Sequence, residues 1–180
     1  MDKCLLTGKS GKFVDSHLVP KALQHKPVLG APMLDLGGQY GPTKAWTSWY
    51  DKEIVTADGE AILAKYDDEA IKILRKRHLV WSGFGPMQTL SVANHSRIPN
   101  SPHGFRVIEN IEVTPLRLFF LSLLWRAAAS KLDASKEITL PNATMTELTR
   151  MVRDGVDESP ANFPVSFVQM STMGEKHNQT

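Results

Sequence analysis

The chain has 180 residues, 42% hydrophobic and 22% charged, an ordinary globular mixture long enough to bury roughly 70% of its unfolded surface. One cysteine excludes an intramolecular disulfide and a thiolate-rich zinc site within the chain. A net charge of +2 neither declares nor forbids a nucleic-acid binder.

Residues 1–12 (MDKCLLTGKSGK) carry Gly8 and Gly11 among small polar residues and read as a turn or knuckle. No stretch of signal-peptide length occurs there, so a cytoplasmic location is expected. Phe13 to Pro20 is short, partly β-branched and closed by proline, which predicts a strand; Lys21-Ala22-Leu23 adds a helical turn. Residues 26–48 are rich in Gly and Pro and predict a long ordered loop or short hairpin, held by Trp46, Trp49 and Tyr50.

A helix is predicted from Thr56 to His78, with Ile62, Tyr66, Ala70 and Ile73 on one face and Leu63 and Leu74 beside it. Asp58 and Glu60 suit its start, and Lys72 to His78 its end. Asp67-Asp68 reads as a break in the middle. Val107 to Val113 reads as a strand, and Thr114-Pro115 opens the strongest helix, running to about Leu132. Its window Leu116 to Ala129 is far below the roughly 20 residues of a membrane span, so a core helix and no membrane association are expected. Thr144 to Glu147 has capping-box spacing, and Gly155 stands where a helix C-cap belongs. Val165 to Met170 reads as a last strand. One domain over residues 1–173 is expected, followed by a disordered tail, 174–180.

Chemistry is sparse. His17, at a rigid strand exit, can take a proton from water near neutral pH, or merely bond neighbouring backbone. The run Arg75-Lys76-Arg77-His78 can hold phosphates or form a solvated helix end. Asn94-His95 is the most suggestive neighbour pair for a divalent metal; His25, His78 and His103 have no ligand spacing. Arg106, Arg117, Arg126 and Lys131 lie near apolar elements, ion-paired or lining a groove. Trp46, Trp49, Trp81 and Trp125 read as core anchors rather than stacking platforms. The common phosphate-loop, dinucleotide, serine-hydrolase and zinc-protease signatures are missing.

Several segments together resemble one family. Cys4-Leu5-Leu6-Thr7-Gly8 and Ser16-His17-Leu18-Val19-Pro20-Lys21 are similar to the C-x-x-C-G and S-H-I-I-P-K openings of bacterial proteins related to HNH (His-Me finger) nucleases. Tyr50 to Glu60 resembles their Y-D-K-x-L-L-C-x-x-C-E segment, and Tyr66-Asp67-Asp68 and Phe119 to Ala127 also look like that group. The resemblance touches points from residue 4 to about 130.

What the resemblance implies is an α+β fold: a treble-clef (ββα) element stapled by four cysteines, here with an appended helical C-terminal half. The family's other three cysteines fall at Thr7, Thr56 and Gly59, so the element is expected to be degenerate and to lack structural zinc. The resemblance makes His17 the catalytic general base. Glu60 is kept from the family segment, whereas the family's later metal-site histidine or asparagine has no clear match; Asp15, Glu60, Asn94 or His95 is the candidate partner for Mg²⁺ or another divalent metal. Arg75, Lys76 and Arg77 would contact nucleic acid. The expected function is therefore nucleic-acid-directed, as a metal-dependent phosphodiester hydrolase. The alternative is a catalytically inactive module that binds nucleic acid or a protein partner on the same degenerate scaffold. A small-molecule enzyme walled by residues 26–48 has no specific support.

Overall fold

The computed structural model describes residues 3–23, 32–35, 41–46, 48–80, 96–101, 104–158 and 160–168. It is a mixed α+β structure of three helices and small two-stranded antiparallel sheets. In chain order the elements are β1 (Ser16–His17), a 3₁₀ turn (Lys21–Leu23), β2 (Met33–Asp35), β3 (Thr43–Ala45), β4 (Tyr50–Asp51) and α1 (Ala57–Lys76). There follow β5 (Ser96–Arg97), β6 (Gly104–Phe105), α2 (Val113–Ala129), a 3₁₀ turn (Asp133–Ser135) and α3 (Asn142–Asp154). β1 pairs with β4, β2 with β3, and β5 with β6.

The three helices make the main core. Leu63, Tyr66, Ala70 and Leu74 of α1 are buried with Phe119, Leu121 and Trp125 of α2 and Leu148, Met151 and Val152 of α3. The buried stripe of α1 is therefore rotated from the expected Ile62–Ile73 face: spacings of three and four from Leu63 track the helical repeat, and Ile62 and Ile73 are only half-buried. α1 is one continuous helix, without the expected break. Asp67 sits inside it because α2 supplies a partner, Arg126. The helix stops at Lys76, and His78 takes a left-handed conformation (φ 53°) while Leu79 N–H donates to the Leu74 carbonyl at 2.8 Å.

α2 lies against both α1 and α3, so it buries side chains around most of its circumference rather than along one stripe. It begins at Val113 after Glu112, ahead of the expected Thr114 cap; Pro115 sits in the first turn, where its missing N–H costs nothing. It ends at Ala129 because Ser130 turns extended and donates its hydroxyl to Asp51 at 2.6 Å. α3 begins at Asn142, so Thr144 lies inside the helix, and Glu147 pairs with Arg150 instead of closing a capping box. Gly155 does cap α3, at φ 69°.

The expected strand over residues 13–20 shrinks to Ser16–His17, with a single bridge between Phe13 and Thr56 upstream. Residues 107–112 form no strand; Asn110 at φ 53° interrupts the extended path. Residues 165–168 are irregular, with Val165 and Val168 exposed, and 169–170 lie outside the described residues. The 26–48 segment does contain a hairpin, β2–β3, and Lys21–Leu23 does form a helical turn. No described helix is long and apolar enough to cross a membrane.

Candidate functional site

The knuckle expected near the N-terminus is a tight turn. Gly8 N–H donates to the Cys4 carbonyl at 2.8 Å, Cys4 N–H to the Lys9 carbonyl at 2.9 Å, and Lys3 bridges Ser10. Gly8 closes it at φ +70°, a conformation glycine adopts without steric cost. Thr7 N–H points at the Cys4 sulfur, 3.4 Å away. Leu5 N–H reaches the Ile54 carbonyl (2.9 Å) and Ala57 N–H the Lys12 carbonyl (3.2 Å), which ties the knuckle to the start of α1.

The first turn of α1 then closes over Cys4. A Cβ on Gly59 would lie 2.7 Å from the Cys4 sulfur, and Thr56 hydrogen-bonds to the same thiol. Cys4 and half-buried Thr7 thus meet Thr56 and Gly59 from about fifty residues further along the chain. Burial pushes the Cys4 thiol up, but hydrogen bonds from Thr7 and Thr56 outweigh it and leave the thiol below its ordinary value.

His17 lies on the hairpin beside this knot. It pairs in register with Tyr50, and the two rings stand 5.8 Å apart. Burial lowers its pKa from 6.5, and Lys21 lowers it further; Glu60 and Asp15 pull the other way, and Arg126 again lowers it. His17 is therefore neutral at pH 7, the state in which an imidazole accepts a proton. Glu60, from the first turn of α1, is thus within electrostatic range of His17.

Behind His17 lies a polar interior. Arg126 of α2 is 1% exposed and gives Nη2 to both Asp67 carboxylate oxygens at 3.0 Å. Burial nevertheless holds the Asp67 carboxyl above its usual range, against the opposing pull of Arg126. Arg126 Nε and Nη1, Glu60 Oε2 and Ser16 Oγ are buried without a hydrogen-bond partner among the described residues. Such atoms are rare in native interiors and mark places where water or another partner belongs. Asp51, opposite Ser16 in register, is taken by Ser130.

The structure brings His17, Asp15 and Glu60 into one electrostatic neighbourhood and sets Arg75, Lys76 and Arg77 apart from it. Glu60 and Lys76 sit at opposite ends of α1, about 24 Å apart at 1.5 Å per residue. Arg77 donates Nη2 to the Asn110 carbonyl at 2.6 Å, so part of its donor set is already used. Two surface hollows, of about 290 and 640 Å³, both lie at this far end, lined by Lys76 and Arg77 with Asn110. Glu69 and Glu112 offset the positive charge of the smaller one. Asn94, His95, His25 and His103 lie outside the described residues. Among the described residues no group of three or more His, Cys, Asp or Glu side chains is placed to hold a metal.

Two features escaped the sequence. The Arg126–Asp67 pair was findable: a charged residue inside the apolar helix 116–129 requires a partner, and Asp67 lies two turns beyond Glu60. Trp46 and Trp49 are 64% and 45% exposed, which corrects their reading as core anchors; they lie on hairpin connections outside the helical core. Trp125 is fully buried, as expected, and Trp81 lies outside the described residues. Arg117 is also ion-paired, to Asp157 at 2.5 Å, and donates to the Phe163 carbonyl.

No protein-family model, curated protein or solved structure matches this chain.

Proposed function

We propose that the chain is a nucleic-acid-directed protein on a degenerate treble-clef, HNH-like scaffold, with His17 as general base of a divalent-metal-dependent phosphodiester hydrolase. The observation that carries this reading is the meeting of Cys4, Thr7, Thr56 and Gly59, the four positions that the resemblance makes zinc ligands. One thiol, two hydroxyls and a bare Cα do not form a tetrahedral set of nitrogen and sulfur donors, so structural zinc does not fit there. The buried turn is held instead by hydrogen bonds and packing.

On this reading His17, neutral and aimed by β1–β4, removes a proton from the attacking water. The unpartnered Glu60 Oε2 fits the role of a metal donor, with Asn94 and His95 as its proposed companions. A bound divalent ion would stabilise charge on the leaving oxygen. Arg75 and Lys76, exposed at the far end of α1, would hold phosphates away from the bond that breaks.

The second reading, an inactive binding module, is favoured by Arg126. A buried guanidinium with two unpartnered nitrogens, within electrostatic range of His17, opposes a divalent cation at the same place. Incubation with plasmid and with RNA in Mg²⁺ or Mn²⁺ separates the two. Cleavage that His17→Ala abolishes supports the hydrolase. No cleavage by wild type, or equal cleavage by the variant, leaves the binding module.

A further inference from the structure

The segment between β3 and β4 exposes aromatic surface that the helical core does not use. Trp46 is 64% and Trp49 45% exposed, and Tyr50 follows directly as the partner of His17 across the hairpin. Tryptophan is highly buried on average, so two exposed indoles within positions 46–50 need an explanation. The backbone at Ser48 and Trp49 is anchored: Leu18 N–H donates to the Trp49 carbonyl at 3.0 Å, and Ser48 Oγ to the Val19 carbonyl at 3.0 Å. Trp49 is therefore tied to the strand that carries His17, with Tyr50 directly after it and Trp46 three residues before it.

The charge around them is positive. Lys44 is exposed two residues before Trp46, and Lys52 is exposed with its Nζ 5.4 Å from the Tyr50 ring centroid. Lys3, Lys9 and Lys12 are exposed on the neighbouring knuckle. The exposed acids nearby, among the described residues, are Asp15, Glu53 and Asp58; Asp51 is buried and bonded to Ser130.

We propose that Trp46, Trp49 and Tyr50 form a stacking platform for unpaired bases of a nucleic-acid single strand, with Lys44 and Lys52 supplying charge for its phosphates. The inference rests on the nucleic-acid-directed reading and names the substrate class of that site. Aromatic faces interleaved with basic residues bind single strands in a sequence-tolerant way, because every base has a π face. A duplex keeps those faces stacked inside. Lysine is depleted from protein–protein interfaces, so an indole pair flanked by lysines fits a polyanion better than a protein.

The test is fluorescence anisotropy with the full chain in EDTA, using a labelled oligo-dT and a labelled duplex of equal length. The single strand is expected to bind tighter. Trp46→Ala and Trp49→Ala should each weaken it by about 5- to 150-fold, the range of one lost base stack. Trp→Phe at either position should keep most of the affinity, and Lys44→Ala with Lys52→Ala should flatten the salt dependence. Circular dichroism of these surface variants should be that of wild type. Equal or tighter duplex binding, or alanine variants that bind like wild type, overturns the proposal. Failure to bind either oligonucleotide also overturns it, and leaves the indoles as a protein-docking surface.

The outcomes separate it from the hydrolase reading. Single-strand binding that needs the tryptophans, without cleavage under Mg²⁺, keeps the platform and removes the hydrolase. Cleavage that needs His17 but neither tryptophan keeps the hydrolase and removes the platform.

Discussion

The Cβ that Gly59 lacks would stand 2.7 Å from the sulfur of Cys4. Real Cβ atoms do not approach a neighbour that closely, so the first turn of α1 sits as deep as it does because residue 59 has no side chain. Val55 Cβ, at 3.1 Å from the same point, tightens the fit further. Gly59→Ala should therefore destabilise by about 1–3 kcal/mol from overpacking, although alanine favours a helix by up to ~1 kcal/mol. In a Cys4→Ala background the same change should be near neutral. Urea melts of the four proteins give the coupling; an equal penalty in both backgrounds would remove the contact as the cause.

The same knot predicts a gain of function. Thr7→Cys, Thr56→Cys and Gly59→Cys together should create, with Cys4, a four-thiolate site that takes up a single Zn²⁺ and raises the melting temperature in its presence. Metal analysis after dialysis is the measurement. A triple variant that folds but binds no zinc would show that the four positions converge without the directions a tetrahedral site needs.

His17 should titrate below 6.5, because burial first and Lys21 second lower its pKa. A histidine whose folded pKa is depressed adds stability that is present above the unfolded pKa and is lost as pH falls through the folded value. The contribution should thus vanish below 6.5, not above it. Lys21→Gln should move the NMR titration midpoint of His17 upward, and any His17-dependent cleavage should shift its acid limb the same way. An unmoved midpoint would rule out Lys21 as a cause.

Breaking the interior ion pair should cost unequally from its two sides. Asp67→Asn strands the 1% exposed Arg126, which cannot shed its proton, and should cost about 3–5 kcal/mol. Arg126→Met strands Asp67, which is 22% exposed and already holds its proton more tightly than usual, and should cost less. With Arg126 gone, the Asp67 pKa should rise further. Equal losses in chemical denaturation would refute the asymmetry.

What the sequence revealed depended on how local the cause was. Gly155 could be read as a cap because a left-handed helix end is a one-residue demand, and the knuckle at Gly8 for the same reason. The span of α1 follows from its apolar repeat, and Tyr66, Ala70, Leu63 and Leu74 are buried as expected, but the centre of the stripe lies at Leu63 rather than Ile62. The repeat alone does not say where α2 and α3 press, and Ile62 looked as good as Leu63. Asp67-Asp68 looked like a break because the partner that justifies a carboxylate there lies in another helix. Val107 to Val113 looked like a strand from composition, and Asn110 turned left-handed instead. At the candidate site, the resemblance singles out His17 and Glu60, and the structure puts them within electrostatic range of each other. The unpartnered nitrogens of Arg126 and the exposure of Trp46 and Trp49 were not legible in the sequence, since both depend on what the rest of the chain covers.

The unbroken helix from Ala57 to Lys76 also acts as a ruler. Its rise places the basic end about 24 Å from Glu60, which equals about seven base pairs of B-form duplex at 3.4 Å each. On the proposed nucleic-acid-directed reading, a shorter duplex would reach the histidine end or the arginine end, but not both. On that reading, helix length would set the footprint of any duplex that used both ends, and a single helical turn inserted in α1 would lengthen it by between one and two base pairs.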